Sequence, residues 1–391
     1  MGANMNTFEM DNTYVANTYG RFPIEIVSGK GAVVVDSNGK EYVDMGSGIA
    51  VNTFGIADDE WVDAVTTQLN TLQHMSNLYY TRPCAQLAKL LCEKTGMKKV
   101  FFGNSGAEAN ECAIKVARKY ALQTKGSDYY TIITLKNSFH GRTLTTLAAT
   151  GQDVFHSQFL PLTEGFVHAE ANNIDDLKSK VNEYKVAAIM FETVQGEGGV
   201  LPLDEQFVKE MKQIADENDI LLIADEVQTG NGRTGKLYGY MHYGIAPDLF
   251  TTAKGLGGGL PIGACVMSEK VQNVLQSSDH GSTFGGNPVA CAGAINVISR
   301  LTDEFLAEVQ AKSEMLFERL SKADGVISVS GKGLMIGIET KKDASAVITA
   351  CRENGVLVIK AKNKVRLLPP LSITWEQLTR AVDVIVSACA G

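Results

Sequence analysis

The stretch Ile220-Leu221-Leu222-Ile223-Ala224-Asp225-Glu226-Val227-Gln228 decides how the rest of the chain is read. Its first five residues are all apolar, so a strand made from them has no face for water and must be covered on both sides. Strands covered on both sides belong mainly to parallel sheets with helices packed above and below. The run ends in an acid. Ligands in α/β folds bind at the carboxyl ends of strands, so Asp225 is a candidate site residue, though a helix cap or an ion-pair partner would read the same way.

Further short apolar runs lie on either side, at 99–103, 130–135, 187–191, 249–253 and 263–267. Amphipathic stretches separate them. In one, Phe207, Val208, Met211, Ile214 and Ala215 fall on a single helical face. The alternation predicts an α/β fold with a mainly parallel central sheet. The two ends read differently. A hairpin is expected from 32–36 and 41–44 about the Asn38-Gly39 turn. After about Asn287 one long helix is expected, with Phe305, Leu306, Val309, Leu316 and Leu320 on its apolar face. Short strands near 326–329, 334–339 and 356–359 follow, then a helical tail from Thr374. The predicted organisation is a large domain over 58–286 and a small α+β domain assembled from 1–57 and 287–391.

The chain has 391 residues, with 36 Lys and Arg against 44 Asp and Glu, a net charge of −8 and no basic run. That balance argues against nucleic acid and anionic membranes as partners. Apolar and charged fractions of 45% and 20% are ordinary for a globular protein and argue against disorder. No apolar run approaches the roughly 18 residues of a membrane span. The polar start, Met1 to Asn12, lacks an apolar signal core, and Asn6 stands where a myristoylation motif after Gly2 needs Ser or Thr. Seven cysteines (84, 92, 112, 265, 291, 351 and 389) are odd in number and have no CxxC spacing. Buried free thiols in a reducing, cytoplasmic setting are expected. The six histidines do not cluster with the cysteines, so no metal site is expected.

Several segments could carry chemistry. Asn104-Ser105-Gly106-Ala107-Glu108 follows a strand and opens a helix. Ser105 and Glu108 have capping-box spacing, and a helix start with Gly106 and Ala107 in its first turn also presents N–H groups to a phosphate. Residues 230–236 fit the first part of a P-loop, but Leu237 replaces the Ser or Thr that holds magnesium, and the loop does not follow its strand directly. Lys254 comes directly after an apolar strand and before a glycine cluster. A desolvated lysine there is an amine nucleophile for carbonyls; a solvated loop lysine is the plain alternative. Gly255 and Gly257 begin a dinucleotide fingerprint that fails at Leu260. The loops 138–143 and 280–288 look ordinary alone. Taken together, a phosphate-binding helix start, an aromatic loop, a strand-end carboxylate and a lysine 29 residues later match what pyridoxal 5′-phosphate requires.

On these motifs, and on Asn17-Thr18-Tyr19-Gly20-Arg21 and Leu367-Leu368-Pro369-Pro370-Leu371 near the ends, the chain resembles the class-III aminotransferases, and among them the N-acetylornithine aminotransferases. The resemblance implies the type I pyridoxal-phosphate transferase fold. It also implies transamination of N-acetylornithine with 2-oxoglutarate, to N-acetylglutamate semialdehyde and glutamate, in arginine biosynthesis by a ping-pong cycle. Ornithine, succinylornithine and 4-aminobutyrate aminotransferases are the near alternatives, and a catalytically silent binding protein on the same fold is the distant one.

Residue by residue, the resemblance implies that Lys254 forms the internal aldimine and that Asp225 pairs with the ring nitrogen. Gly106 and Ala107, with Ser105, bind the phosphate; Phe139 stacks on the ring; Gln228 approaches the ring hydroxyl. Glu226 and Val227 complete the cofactor set. Thr283 reaches the phosphate of the other subunit, which implies a homodimer. Arg142, Ser282 and Tyr19 belong to the substrate set, Arg366 to the substrate α-carboxylate, and Glu197 to the masking of an active-site arginine while the donor is bound. Tyr79-Tyr80 are expected near the substrate entrance or the dimer interface. One departure is visible: around Val51-Asn52-Thr53-Phe54-Gly55-Ile56 the family's Gly-His pair and nearby Pro are missing.

Overall fold

The computed structural model describes residues 5–390. Gly2, on which the myristoylation reading turns, lies outside them, as do the first four residues of the signal reading. Seven strands form the central sheet: β1 (Lys99–Gly103), β2 (Thr131–Leu135), β3 (Phe166–Ala169), β4 (Val186–Phe191), β5 (Leu221–Asp225), β6 (Leu249–Thr252) and β7 (Gly263–Met267). Their order is β1-β7-β6-β5-β4-β2-β3. β7 runs antiparallel to both neighbours, and the other pairs are parallel. Strands β2, β4, β5, β6 and β7 are buried along their whole length, as their mainly apolar composition requires.

Alternation along these strands divides the core between the two faces. Leu221 and Ile223 pack with Cys112, Ala113 and Val116 of the Gly106–Thr124 helix. Leu222 and Ala224 join the core on the other side, with Phe207, Val208 and Met211 of the Glu205–Glu217 helix. Edge strand β3 was not foreseen. Phe166, Val167 and His168 are only half-buried, so their composition is mixed and carries no unbroken apolar run. No helix among the described residues is long and apolar enough to cross a membrane.

The N-terminal hairpin forms as read, Val33–Asp36 against Glu41–Asp44, with Gly39 at φ 79° in the turn. Two expectations at the other end are corrected. The long helix is two helices, Pro288–Arg300 and Asp303–Ser321. Thr302 separates them by accepting the N–H of Phe305 on its hydroxyl at 3.2 Å, a capping contact that competes with helix continuation. The stretch 356–359 is not one strand. Val356–Leu357 pairs in parallel with the hairpin strand Glu41–Asp44, whereas Ile359–Ala361 joins a separate antiparallel sheet. That sheet also contains Lys364–Leu367, an unforeseen strand that carries Arg366 opposite Gly337 of Met335–Thr340.

The departure at 51–56 follows a tightly tied segment. Residues 47–50 all have positive φ, an unusual run. It is held by Asp44, which accepts the N–H groups of Gly46 and Ser47, and by the Ser47 hydroxyl donating to the Leu368 carbonyl at 2.6 Å. Thr53 then ties the loop to the Gly255 carbonyl at 2.8 Å, beside Lys254.

Candidate active site

Because β5 and β6 are parallel neighbours, their carboxyl ends deliver Asp225 and Lys254 to the same edge of the sheet. A cavity of about 510 Å³ opens there. Ser105, Gly106, Ala107, Phe139, Arg142, Glu197, Asp225, Val227, Gln228 and Lys254 all line it.

The cavity wall begins at the helix start. Ser105 caps the helix by accepting the N–H of Glu108 at 3.2 Å. The Glu108 carboxylate reaches the N–H of Asn104 at 2.6 Å, one residue before the position a reciprocal capping box uses. Gly106 and Ala107 are in the first turn, whose N–H groups have no intrahelical acceptor. Two glycines allow this placement. A Cβ on Gly263 would lie 2.1 Å from the Ser105 carbonyl oxygen, and one on Gly106 would lie 2.7 Å from Val227 Cγ1.

Asp225, buried, forms the floor. Its Oδ2 accepts from Asn110 Nδ2 at 2.8 Å and from His140 Nδ1 at 2.7 Å, and its Oδ1 accepts the N–H of Val227 at 3.0 Å. Thr251 fixes Asn110 by donating to its Oδ1 at 2.6 Å. The same Asn110 amide donates to the His140 carbonyl at 2.7 Å. Nδ1 of His140 faces a carboxylate, so the network assigns it the proton.

Phe139 forms the aromatic wall, edge-on to Phe155 with centroids 5.8 Å apart. The Arg142 guanidinium lies 4.9 Å over Phe155 at the exposed mouth. Lys254 has φ 45°, a strained conformation for a residue with a side chain. Burial lowers the pKa of its amine, and the nearby Glu197 carboxylate partly opposes that. Across the cavity Arg366 Nη1 donates to Glu197 Oε1 at 2.7 Å and to Gln228 Oε1 at 3.2 Å. Burial alone would raise the Glu197 pKa, but the charge and hydrogen bond of Arg366 hold it below the usual carboxylate range. Nε of Arg366 is buried without a partner. Glu197 and Arg366, to which the resemblance assigned separate roles, thus form one ion pair.

Other expected residues stand outside the cavity lining. Glu226 is buried, but its carboxylate accepts the Thr229 hydroxyl and the N–H groups of Gly239 and Tyr240, each at 2.7 Å. Burial pushes its pKa up to about 7. Its side chain closes the 226–240 turn rather than lining the cavity. Ser282 accepts from Asn104 Nδ2 at 3.1 Å, Thr283 is exposed, and Tyr19 is exposed with Arg21 over its ring. Tyr79 and Tyr80 are exposed, away from the cavity.

Three residues went unassigned in the sequence. His140 lay within a quoted loop. Asn110 is a polar residue on the buried face of an apolar helix, and Glu192 follows β4 as Asp225 ends β5; both signals were present in the pattern.

The chamber fits pyridoxal 5′-phosphate. It offers unspent first-turn N–H groups beside a glycine that leaves no room for a Cβ, an aromatic wall, a buried acid and a buried amine. The class-III aminotransferase family model matches residues 14–389. The acetylornithine aminotransferase of Haemophilus ducreyi is 50% identical over 379 residues, covering 96% of each chain. A structure of N-acetylornithine aminotransferase from Stenotrophomonas maltophilia superposes with a TM-score of 0.84 at 34% identity, covering 97% of each chain. Ornithine aminotransferase from Toxoplasma gondii, described with partial occupancy of PLP at its active site, superposes at 0.93 with 31% identity, covering 98% of this chain and 93% of that one. With a match over nearly its whole length and a cavity built for the same cofactor, the chain belongs to the pyridoxal-phosphate-dependent class-III aminotransferases.

Proposed function

We propose that the chain transfers the terminal amino group of N-acetylornithine to 2-oxoglutarate, giving N-acetylglutamate semialdehyde and glutamate as a step of arginine synthesis. The observation that carries this reading is the Glu197–Arg366 pair beside Lys254, with a second arginine, Arg142, at the mouth. The donor brings an uncharged carbon chain and an amine to the reacting end, with its carboxylate at the far end. The acceptor brings a carboxylate to both ends. A masked inner cation and an open outer one suit the first; an unmasked inner cation suits the second. The several acetylornithine aminotransferases among its relatives, at 41% to 50% identity, support the same donor.

Bound pyridoxal phosphate supplies an electron sink for the pair left when a C–H proton is removed. Asp225 keeps a proton on the ring nitrogen, as a buried carboxylate facing a cation does. His140 and Asn110 hold Asp225 in position. Lys254 Nζ, with its pKa lowered by burial, takes the proton from the substrate carbon and returns it. Gly106 and Ala107 would hold the phosphate through their first-turn N–H groups, and Phe139 would stack on the ring. Arg142 takes the donor's α-carboxylate, while Arg366, released by Glu197, takes that of 2-oxoglutarate. The two substrates use the site in turn, the pattern of ping-pong kinetics.

A homodimer is part of the proposal. Thr283 is exposed and off its own cavity, and Leu78, Tyr79, Tyr80 and Phe284 expose apolar surface. Mixing Lys254→Met and Thr283→Ala chains tests it, because a mixed dimer would contain one complete site and regain activity that neither parent has. The division into 58–286 and the two terminal parts is likewise proposed. It is supported by the separate sheets, whereas the Pro288–Arg300 helix packs across the proposed boundary on Asp59–Thr71 and Arg82–Thr95.

The substrate test is an absorbance scan of the loaded protein before and after adding N-acetylornithine. Loss of the visible cofactor band, and its return with 2-oxoglutarate, is expected. A band that responds instead to ornithine, succinylornithine or 4-aminobutyrate would replace the donor.

A further inference from the structure

Glu192 follows the last residue of β4 and is 5% exposed. Its carboxylate joins two segments whose roles have been described separately. Oε1 accepts the N–H of Phe139 at 2.8 Å, and Oε2 accepts the N–H of Gly196 at 3.3 Å. Phe139 is the aromatic wall, and Gly196 directly precedes Glu197. Gly196 also leaves no room for a side chain, because a Cβ there would lie 2.3 Å from Gln228 Oε1, the atom that accepts from Arg366. On the Phe139 side the next residue, His140, is bonded to Asp225.

We propose that Glu192 is a positioning residue that fixes the aromatic wall and the masking carboxylate to each other, so that Glu197 returns to Arg366 from an anchored backbone. The inference rests on the proposed masking role of Glu197. A carboxylate suits this position because it has two acceptor oxygens and no donor. A glutamine has one acceptor oxygen, so either Phe139 or Gly196 loses its partner while size and shape are kept. An aspartate keeps the charge but is one methylene too short to span both. The ionisable groups facing Glu192 are His140, Asp225 and Lys254.

The experiment compares the two half-reactions of Glu192→Gln in the loaded enzyme. N-acetylornithine is given to the aldehyde form and 2-oxoglutarate to the aminated form, with Glu197→Ala in parallel. The expected result is a donor half-reaction slowed roughly tenfold, the effect of one lost buried hydrogen bond, and an acceptor half-reaction within about twofold of wild type. Equal loss in both, or no change, overturns the coupling. If Glu197→Ala leaves the ratio unchanged, the masking reading falls and this inference with it. If Glu197→Ala shifts the ratio and Glu192→Gln does not, only the coupling falls. Hydrogen exchange of the wild-type loaded enzyme gives a second readout that needs no variant. Peptides spanning 138–141 and 194–198 are expected to change protection together when either substrate is added, and movement of one without the other refutes the proposal.

Discussion

Gly106→Ala adds one methyl group where there is no room. The new Cβ would stand 2.7 Å from Val227 Cγ1 and 2.9 Å from Cγ2, closer than carbon atoms pack. Val227 is β-branched and cannot swing its methyl groups clear independently, so either the helix start retreats or Val227 moves into the cavity that both residues line. Overpacking of this kind costs about 1–3 kcal/mol. Alanine returns at most about 1 kcal/mol through helix propensity and a less flexible unfolded chain. Fold stability should therefore fall by no more than about 2 kcal/mol. The clash lies where the cofactor phosphate and ring must sit, so pyridoxal phosphate should bind about 5- to 150-fold more weakly, the equivalent of 1–3 kcal/mol. Titrating the cofactor-free protein by visible absorbance measures this. The double variant with Val227→Ala isolates the cause, because once the opposing methyl groups are gone most of the Gly106→Ala penalty should disappear. Wild-type affinity in Gly106→Ala, or an undiminished penalty in the Val227→Ala background, would refute the steric argument.

Asp225→Asn should keep the hydrogen bond to His140 in a rearranged form but lose the charge that holds a proton on the ring nitrogen. Single-turnover absorbance with N-acetylornithine should slow by about 100-fold or more while the cofactor stays bound. Lys254 makes a prediction about stability. Its pKa is lowered in the folded protein, so between that value and the ordinary 10.5 the unfolded chain binds more protons, and stability rises with pH through the window. Without cofactor, Lys254→Met should therefore melt at a higher temperature than wild type near neutral pH, with the gain shrinking as pH approaches 10.5. An equal or lower melting temperature at neutral pH counts against a desolvated amine. His168 behaves similarly in acid. Burial pulls its pKa from 6.5 to about 4, so its neutral form favours folding above 6.5, and that stability is lost as pH falls from 6.5 to 4. Urea unfolding across that range should show a shallower decline in His168→Gln than in wild type.

Local patterns were enough for much of the fold. Strands with no polar face had to lie inside a covered sheet, so β1, β2, β4, β5, β6 and β7 were legible from composition. Where the pattern was mixed, as in β3, or where one apolar run served two sheets, as at 356–361, the sequence was silent or misleading, because partner choice is a non-local matter. The break at Thr302 was a contest between a side-chain cap and helix continuation that apolar periodicity does not register.

By itself the sequence determined the chemistry at the ends of strands: an acid after one apolar run, an amine after another, and a small-residue helix start after a third. Residue type and position relative to a strand settle these, and both are local. The tertiary structure alone decided that Glu197 rather than Glu226 faces the cavity, that Arg366 is the arginine Glu197 covers, that Asn110 and His140 brace the floor, and that Glu192 holds the aromatic wall. The contacts of Glu197 with Arg366, of Asn110 and His140 with Asp225, and of Glu192 with Phe139 each join residues 53 or more positions apart in the chain. Hydrogen-bond direction across such separations depends on how strands and loops are placed in space, and no short window of sequence contains it.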